Sequence, residues 1–222
     1  MTMRFLRLML ASAALMFAAT GAAFAAEPKE GVEYKTLDTP VRADTGGKKV
    51  EVVEFFMYSC PHCNALEPLM ADWVKKNADK IVFKRVHFPR TGEKDPQAHA
   101  YLTLEAMNKL DGVHDKLFRA IHVEHNRLLT DDSITEVVTK NGVDKAKYLE
   151  AFNSFGVQTK MKRANALINS YKVDSAPTIV IDGKYVTSPS QAGRPGESEV
   201  VSQQKTLAVM DYLVAKAAAT KK

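Results

Sequence analysis

The stretch EFFMYSCPHCNALEPL, from Glu54 to Leu69, holds both cysteines of this 222-residue chain. The residues before Cys60 are mostly apolar or aromatic, which indicates a buried strand. After Cys63, apolar residues recur at helical spacing as far as Asn77. The two thiols therefore lie where a predicted strand ends and a helix begins, and this junction constrains the fold more than any other part of the sequence.

The spacing of the two cysteines argues against a purely structural disulfide. Cys60 and Cys63 enclose only Pro61 and His62, whereas a bridge stabilises a fold most when it closes a long loop. A chain of this length can also bury a sufficient core without disulfides. The spacing therefore favours a chemical role for the two thiols.

The first residues of the chain are typical of a secretory signal. Arg4 and Arg7 precede an apolar run that is too short to span a bilayer, and small residues follow it up to Ala25. We predict cleavage after Ala25, with cleavage after Ala23 as the alternative. The mature chain is then exported to an oxidising compartment, where cysteines usually pair.

The charge of the chain excludes an obvious nucleic-acid surface. The formal net charge is +5, and removing the two arginines of the signal leaves a small positive excess. The lysines are spread along the sequence instead of forming a basic patch. The length fits one large domain or one domain with an insertion.

The order of predicted elements is strand, helix, strand, a helical middle, a hairpin and a last helix. Residues 48–59 and 80–88 are the first two strands, which we expect to be parallel because a helix connects them. From residue 95 to residue 171 only helical patterns occur, and we predict four to five helices. Asp182-Gly183 predicts the turn of a hairpin within residues 178–187.

The position of Cys60 at a helix start favours its ionised form. Free backbone amides and the positive end of the helix dipole stabilise an anion there, and Pro61 is compatible with the first helical turn. His62 adds a donor, and a positive charge when it is protonated. We therefore predict that Cys60 is the exposed nucleophile with a lowered pKa and that Cys63 is the shielded resolving thiol.

A stable thiolate also determines the direction of the redox chemistry. Only the reduced protein carries the thiolate, so a lowered pKa of Cys60 favours the dithiol over the disulfide. Such a protein donates its disulfide readily. The sequence thus predicts a dithiol oxidase.

The motifs EFFMYSCPHC, FKRVHF and SAPTIVIDGKY, together with the helical middle, resemble the DsbA family of periplasmic thiol:disulfide interchange proteins. The resemblance implies an α/β fold, thioredoxin-like, with an inserted all-helical domain. Its boundaries are residues 1–25 for the signal peptide, 26–88 and 172–222 for the thioredoxin-like domain, and 89–171 for the insertion.

The same resemblance implies the activity and partners of the chain. It identifies Cys60 and Cys63 as the redox-active disulfide that is donated to newly exported proteins with free cysteines in the periplasm. It implies reoxidation by a DsbB-like quinone reductase of the inner membrane. It also implies that Ala176-Pro177 is a cis peptide bond facing the cysteines, where the backbone of Ala176 binds an extended substrate.

Glu54 matches the family's buried acid below the redox pair, and strand alternation places Arg85 as its basic partner. We interpret the pair as a route for proton transfer to or from Cys63, with a buried ion pair that has no role in turnover as the alternative. His87 either lines the site or only ends a strand. His122 and His125 lie three residues apart on a predicted helix, and we predict surface histidines because no third metal ligand is evident.

Two other functions use the same residues. A disulfide isomerase or reductase of this fold usually carries an N-terminal dimerisation domain, for which residues 26–47 are too few. A metal-binding module would need four ligands for structural zinc, and the sequence shows two strong ones. We therefore expect no cofactor and no metal, no nucleic-acid partner and a monomeric protein.

Overall fold

The computed structural model describes residues 27–43 and 45–221. The predicted signal peptide and its cleavage site lie outside the described residues. The strands are β1 (Lys35–Thr36), β2 (Val50–Phe56), β3 (Ile81–His87), β4 (Thr178–Ile181) and β5 (Tyr185–Thr187). They form one five-stranded sheet in the order β1-β5-β4-β2-β3.

The pairing of the strands agrees with the predicted connections. β2 and β3 are parallel, as expected for strands joined through a helix. The other neighbouring pairs are antiparallel. Asp182 and Gly183 both have positive φ, 53° and 64°, which confirms the tight hairpin turn between β4 and β5. The two-residue strand β1 was not predicted, because two residues carry no alternation pattern.

The helices in the described residues are α1 (Pro61–Lys76), α2 (Pro96–Ala106), α3 (Leu110–His122), α4 (Asp131–Lys140), α5 (Lys145–Phe152), α6 (Phe155–Tyr171), α7 (Pro189–Ala192) and α8 (Glu199–Ala218), with a 3₁₀ turn at Gly92–Lys94. Five of the α-helices lie between β3 and β4, as the sequence predicted. Side-chain caps start most of them; for example, Asp95 accepts a hydrogen bond from the backbone N–H of Ala98.

The strand β2 is buried on both faces of the sheet, which explains its continuous apolar run. All seven residues of β2 are buried. Val52 packs in a cluster with the helices α1 and α8 on one face, whereas Val53 and Phe55 pack with Ile168 and Tyr171 of α6 on the other. The strand ends at Phe56, earlier than predicted, and a short turn leads to Cys60.

The helical segment packs against the end of the sheet that carries the cysteines. One buried cluster contains Cys60 and Cys63 together with Leu104 of α2 and Leu117 of α3. The redox pair therefore lies at the boundary between the sheet and the inserted helices.

The last helix, α8, covers the sheet with Val209, Met210 and Leu213. Val200, in the first turn of this helix, is 59% exposed and lies outside the apolar face. None of the helices in the described residues has both the length and the apolar character needed to span a bilayer.

Candidate active site

The turn after β2 places Cys60 directly before the first residue of α1. The backbone of Cys60 is extended, with φ −85° and ψ 118°, and Pro61 occupies the first helical turn. Cys63 follows within the same turn, so both side chains lie at the amino end of α1. This is the arrangement that the spacing predicted, because free N–H groups at a helix start favour an anion.

Both thiols are buried, although to different degrees. The exposed fraction is 7% for Cys60 and 1% for Cys63. Cys63 is the more shielded thiol, as predicted, but the expectation that Cys60 is exposed is wrong. The Cys60 Sγ–H group donates to the backbone oxygen of Ala176 at 3.4 Å, and this contact with the loop before β4 limits its access to solvent.

The surroundings of Cys60 lower its pKa to about 6. The largest cause is a hydrogen bond from the Cys63 thiol, which stabilises the Cys60 thiolate. The backbone N–H groups of Cys63 and His62 and the charge of His62 act in the same direction, whereas burial opposes them. The predicted causes, helix start and His62, are therefore present, but the neighbouring thiol contributes more than either.

The same contact has the opposite effect on Cys63. Its hydrogen bond to Cys60, its burial and the negative charge of Cys60 raise the pKa of Cys63 far above that of an ordinary thiol. The negative charge of Glu54 raises it further. The site thus separates one thiol that ionises easily from one that keeps its proton.

The loop before β4 faces the cysteines. The Ala176–Pro177 peptide bond is cis, which confirms the expectation from the family resemblance. The Thr178 hydroxyl donates to the backbone oxygen of Ser175 at 2.8 Å and stabilises the loop. The backbone of Ala176 consequently lies beside the Cys60 sulfur.

His62 forms an ion pair that the sequence did not predict. Its Nδ1 lies 2.6 Å from Oε1 of Glu199, the first residue of α8. This hydrogen bond raises the pKa of His62, and the negative charge of Glu199 adds to the effect. The two side chains are 65% and 45% exposed, so the pair lies at the surface beside the redox pair.

A buried charge cluster lies on the neighbouring strands. The register of β2 and β3 places Glu54 opposite Arg85, and Arg85 Nε donates to Glu54 Oε2 at 2.8 Å. The predicted ion pair is therefore present. Arg85 Nη2 also donates to both oxygens of Glu67, at 2.7 and 2.8 Å. Burial raises the pKa of Glu54, and Arg85 opposes this effect.

Glu67 was missed by the sequence analysis, although a signal for it exists. It belongs to the buried face of α1, which also carries Cys63, Leu66, Met70 and Trp73. A carboxylate on an apolar helical stripe needs a partner, because an unpaired buried charge is costly. The partner is Arg85, which it reaches across the junction of helix and sheet.

His87 is the last residue of β3 and contacts the turn that leads to Cys60. It is 3% exposed, and its Nε2 accepts a hydrogen bond from the backbone N–H of Tyr58 at 3.2 Å. Burial lowers the pKa of His87 to about 4, so the ring is neutral near pH 7. His87 thus stabilises the turn that leads to Cys60.

The prediction for His122 and His125 needs correction. The helix α3 ends at His122, and His125 follows in a loop with φ 57°, so the two residues do not share a helical face. His122 is half-buried instead of lying on the surface, and its Nε2 lies 2.8 Å from the backbone oxygen of Tyr58. Among residues 27–43 and 45–221, no three His, Cys, Asp or Glu side chains are grouped to hold a metal ion.

Comparison with known proteins gives a consistent result. Residues 51–194 match the family model described as the DSBA-like thioredoxin domain. The thiol:disulfide interchange protein DsbA of Bordetella parapertussis is 38% identical over 196 residues, which are 87% of this chain and 93% of that protein. The protein of the same name from Pseudomonas aeruginosa is 38% identical over 192 residues, covering 86% and 87% of the two chains.

Solved structures show the same relationship. The crystal structure of Pseudomonas aeruginosa DsbA superposes with a TM-score of 0.78 at 38% identity, covering 88% of this chain and 97% of that one. The oxidoreductase DsbA of Xylella fastidiosa gives a TM-score of 0.76 at 26% identity, covering 87% and 99%.

Proposed function

Since the chain belongs to the DSBA-like thioredoxin domain family, we propose that it donates a Cys60–Cys63 disulfide to newly exported proteins. The chain is a thiol:disulfide oxidoreductase with a thioredoxin fold and a helical insertion. The proposal assigns the roles of its residues, the direction of the reaction and the partners.

The reaction proceeds by two thiol–disulfide exchanges. A substrate thiolate attacks Cys60 Sγ, the Cys60–Cys63 bond breaks, and Cys63 leaves with the electron pair and takes a proton. The second substrate thiolate then attacks the substrate sulfur of the mixed disulfide, and Cys60 leaves as a thiolate. The substrate loses two electrons and gains a disulfide, while the protein becomes a dithiol.

The position of Cys60 at the amino end of α1, next to the Cys63 thiol, supports the oxidising direction because it lowers the pKa of the Cys60 thiol. A pKa of about 6 makes Cys60 a good leaving group and favours the reduced protein at neutral pH. At pH 7 this lowered pKa raises the reduction potential of the protein by at most about 30 mV, and solvent screening makes the increase smaller. The stabilisation is present above the lowered pKa and disappears as the pH falls through it.

Glu54 is proposed as the proton donor and acceptor of Cys63. The side chain is 1% exposed, and its charge acts on the Cys63 sulfur. Because Cys63 has a strongly raised pKa, it must take a proton on leaving and lose one before it can attack. A carboxyl group whose own pKa is raised is suited to both steps.

The backbone of Ala176 is proposed as the docking edge for substrate. Its oxygen lies 3.4 Å from Cys60 Sγ, so an extended peptide whose cysteine is bonded to Cys60 would pass beside it. Backbone hydrogen bonds bind such a peptide without selecting its sequence. This arrangement supports a broad range of unfolded substrates.

The cellular context of the proposal rests on the sequence. Residues 1–25 are proposed as a cleaved signal peptide for export to the periplasm, and reoxidation is assigned to a DsbB-like quinone reductase of the inner membrane. We divide the mature protein into residues 26–88 and 172–222, the thioredoxin-like domain, and residues 89–171, the helical insertion.

The test is oxidation of a reduced, unfolded secreted protein by the purified, oxidised protein lacking residues 1–25. We expect one substrate disulfide to form for each protein disulfide consumed, and no transfer by Cys60→Ser. Absence of transfer by the oxidised protein would overturn the proposal. Reshuffling of a scrambled substrate without net oxidation would favour the isomerase alternative.

A further inference from the structure

His114 of the inserted helix α3 lies against the buried charge cluster. Its side chain is only 8% exposed. Nδ1 of the ring lies 2.8 Å from the hydroxyl of Tyr58, in the turn that leads to Cys60. Nε2 has no hydrogen-bond partner, but it lies 3.4 Å from Oε2 of Glu67. A buried polar nitrogen without a partner is unusual and calls for a functional explanation.

The contacts of Glu67 connect this imidazole to the resolving thiol. Arg85 binds Glu67 and Glu54 at the same time, so one guanidinium is shared by two carboxylates. With both carboxylates ionised, the three groups carry one net negative charge. A protonated His114 would neutralise it, and the positive charge of His114 lowers the pKa of Glu54.

Solvent reaches His114 from the side of the helical insertion. A cavity of about 420 Å³ is lined by Glu67, Arg85 and His114. The exposed Asp111 and Asp115 also line it, so the cavity opens at the surface. Protons can therefore exchange with His114 without passing the cysteines.

We propose that His114 is a positioning residue that balances the charge of Glu54 by binding and releasing a proton through this cavity. The inference rests on the proposed role of Glu54. When Glu54 gives its proton to the Cys63 thiolate, His114 takes one from solvent. When Glu54 removes the proton of Cys63 during reoxidation, His114 releases one. One proton is exchanged with solvent each time, and no electrons move in these steps.

Tyr58 keeps the imidazole in position for this exchange. Burial raises the pKa of Tyr58 well above its ordinary value, so its hydroxyl stays protonated. A hydroxyl can donate to a neutral Nδ1 and accept from a protonated one, and it therefore supports both forms of His114. Imidazole is also the side chain that most readily changes charge near neutral pH.

Charged or titratable groups surround His114 from every neighbouring element. They come from β2 and its turn, β3, α1, α2 and α3 itself, and the groups are Glu54, Tyr58, Arg85, His87, Glu67, Tyr101 and Asp115. His87 is neutral near pH 7 because burial lowers its pKa to about 4. Oε2 of Glu67 lies within ion-pair distance of His114 Nε2, at 3.4 Å.

The test separates the two thiols kinetically with Ellman's reagent, an aromatic disulfide. Reduced protein reacts in two phases: Cys60 attacks the reagent, and Cys63 then attacks the mixed disulfide and releases the second aromatic thiolate. We expect His114→Gln to slow the second phase about three- to tenfold at pH 7. The inflection in the pH dependence of the second-phase rate should move upward by up to about one pH unit. The reason is that Glu54 loses a nearby cation and is less often ionised.

The rate of the first phase should change by less than about twofold, because Cys60 does not need Glu54 to attack the reagent. An unchanged second phase, or parallel slowing of both phases, would overturn the inference. His99→Gln is the matched control, since His99 lies on the inserted helix α2 and contacts the Phe152 oxygen at 2.9 Å. It should leave both phases unchanged, and slowing of the second phase by this control would also overturn the inference.

Two further variants keep the result interpretable. Tyr58→Phe removes only the hydroxyl that holds Nδ1 in place, so the imidazole is positioned less firmly beside Glu67 and its effect on Glu54 weakens. The inflection should move upward by less than in His114→Gln, and an unmoved inflection would overturn the inference even if His114→Gln failed to fold. Glu54→Gln tests the underlying role. If it leaves the second phase unchanged, the proposed role of Glu54 fails. If it slows that phase while His114→Gln does not, only the present inference fails.

Discussion

The imidazole Nδ1 of His62 lies 2.6 Å from Glu199 Oε1, although the two residues are 137 positions apart. The contact joins the first turn of α1 to the first turn of α8, beside Cys60. Because Glu199 raises the pKa of His62, the imidazole keeps its positive charge to higher pH. That charge lowers the pKa of Cys60, so a surface carboxylate acts on the redox pair through His62.

Replacing Glu199 should therefore weaken the protein as an oxidant. In Glu199→Gln, His62 loses its proton at lower pH, and we expect the pKa of Cys60 to rise by about half a unit. The effect is small because both partners are substantially exposed and such pairs contribute about 1 kcal/mol or less. The measurement is the ultraviolet absorbance of the thiolate as a function of pH, in the reduced protein.

The control for this prediction is Glu197→Gln, which removes the same charge two residues earlier. Glu197 pairs with Lys205 and should leave the Cys60 titration unchanged. In a His62→Gln background, which should itself raise the pKa of Cys60, Glu199→Gln should have no further effect. An equal rise with and without His62 would show that Glu199 acts by another route.

The reduction potential should change its pH dependence near pH 6. Below the pKa of Cys60, about 6, the reduced protein holds two protons and the potential falls by about 59 mV per pH unit. Above it, Cys60 is a thiolate and Cys63 keeps its proton, so the slope is about 30 mV. Equilibration with glutathione over this range measures the slope; a constant slope up to about pH 8.5 would mean that Cys60 is an ordinary thiol.

Removing the resolving thiol should trap the reaction intermediate. In Cys63→Ser, a mixed disulfide formed at Cys60 cannot be displaced by Cys63, so covalent adducts with unfolded substrates should accumulate. Non-reducing electrophoresis and mass spectrometry of the linked peptides detect them. Cys60→Ser should give almost none, because Cys63 is only 1% exposed and keeps its proton. Adducts at Cys63 in that control would contradict the assigned roles.

Local patterns were sufficient to predict much of the fold. The apolar run that ends at Cys60, the helical stripe after Cys63 and the Asp182-Gly183 turn each act over a few residues, and the structure contains the corresponding elements. The strand β1 and the early end of β2 at Phe56 depend on tertiary pairing. Their bounds therefore could not be derived from periodicity.

The site could be predicted only in part, for the same reason. Glu54 and Arg85 were paired correctly because both lie on predicted neighbouring strands. Glu199 and His114 reach the site from α8 and α3, and no local sequence pattern indicates which helix packs there. The burial of Cys60 was also missed, since the loop of Ala176 that limits its exposure is distant in sequence.

The cluster of Glu54, Arg85 and Glu67 makes a further prediction about stability. The side chains of the two carboxylates are 1% and 11% exposed, and that of Arg85 is 18% exposed. Removing one member of a buried charge group leaves the remaining charges uncompensated, which costs more than losing a surface pair. The cost should fall at acid pH, because burial raises the pKa of Glu54 and its protonated carboxyl group no longer needs the guanidinium.

We therefore expect Arg85→Leu to lower the free energy of unfolding by about 3–5 kcal/mol at pH 7, and by less near pH 5. Urea unfolding of the reduced protein at both pH values measures the difference. Arg119→Leu is the matched control, because Arg119 and Glu124 form a pair whose side chains are 62% and 55% exposed; its cost should stay below about 1 kcal/mol. Equal losses for the two variants would show that the buried cluster does not depend on Arg85 for its charge balance.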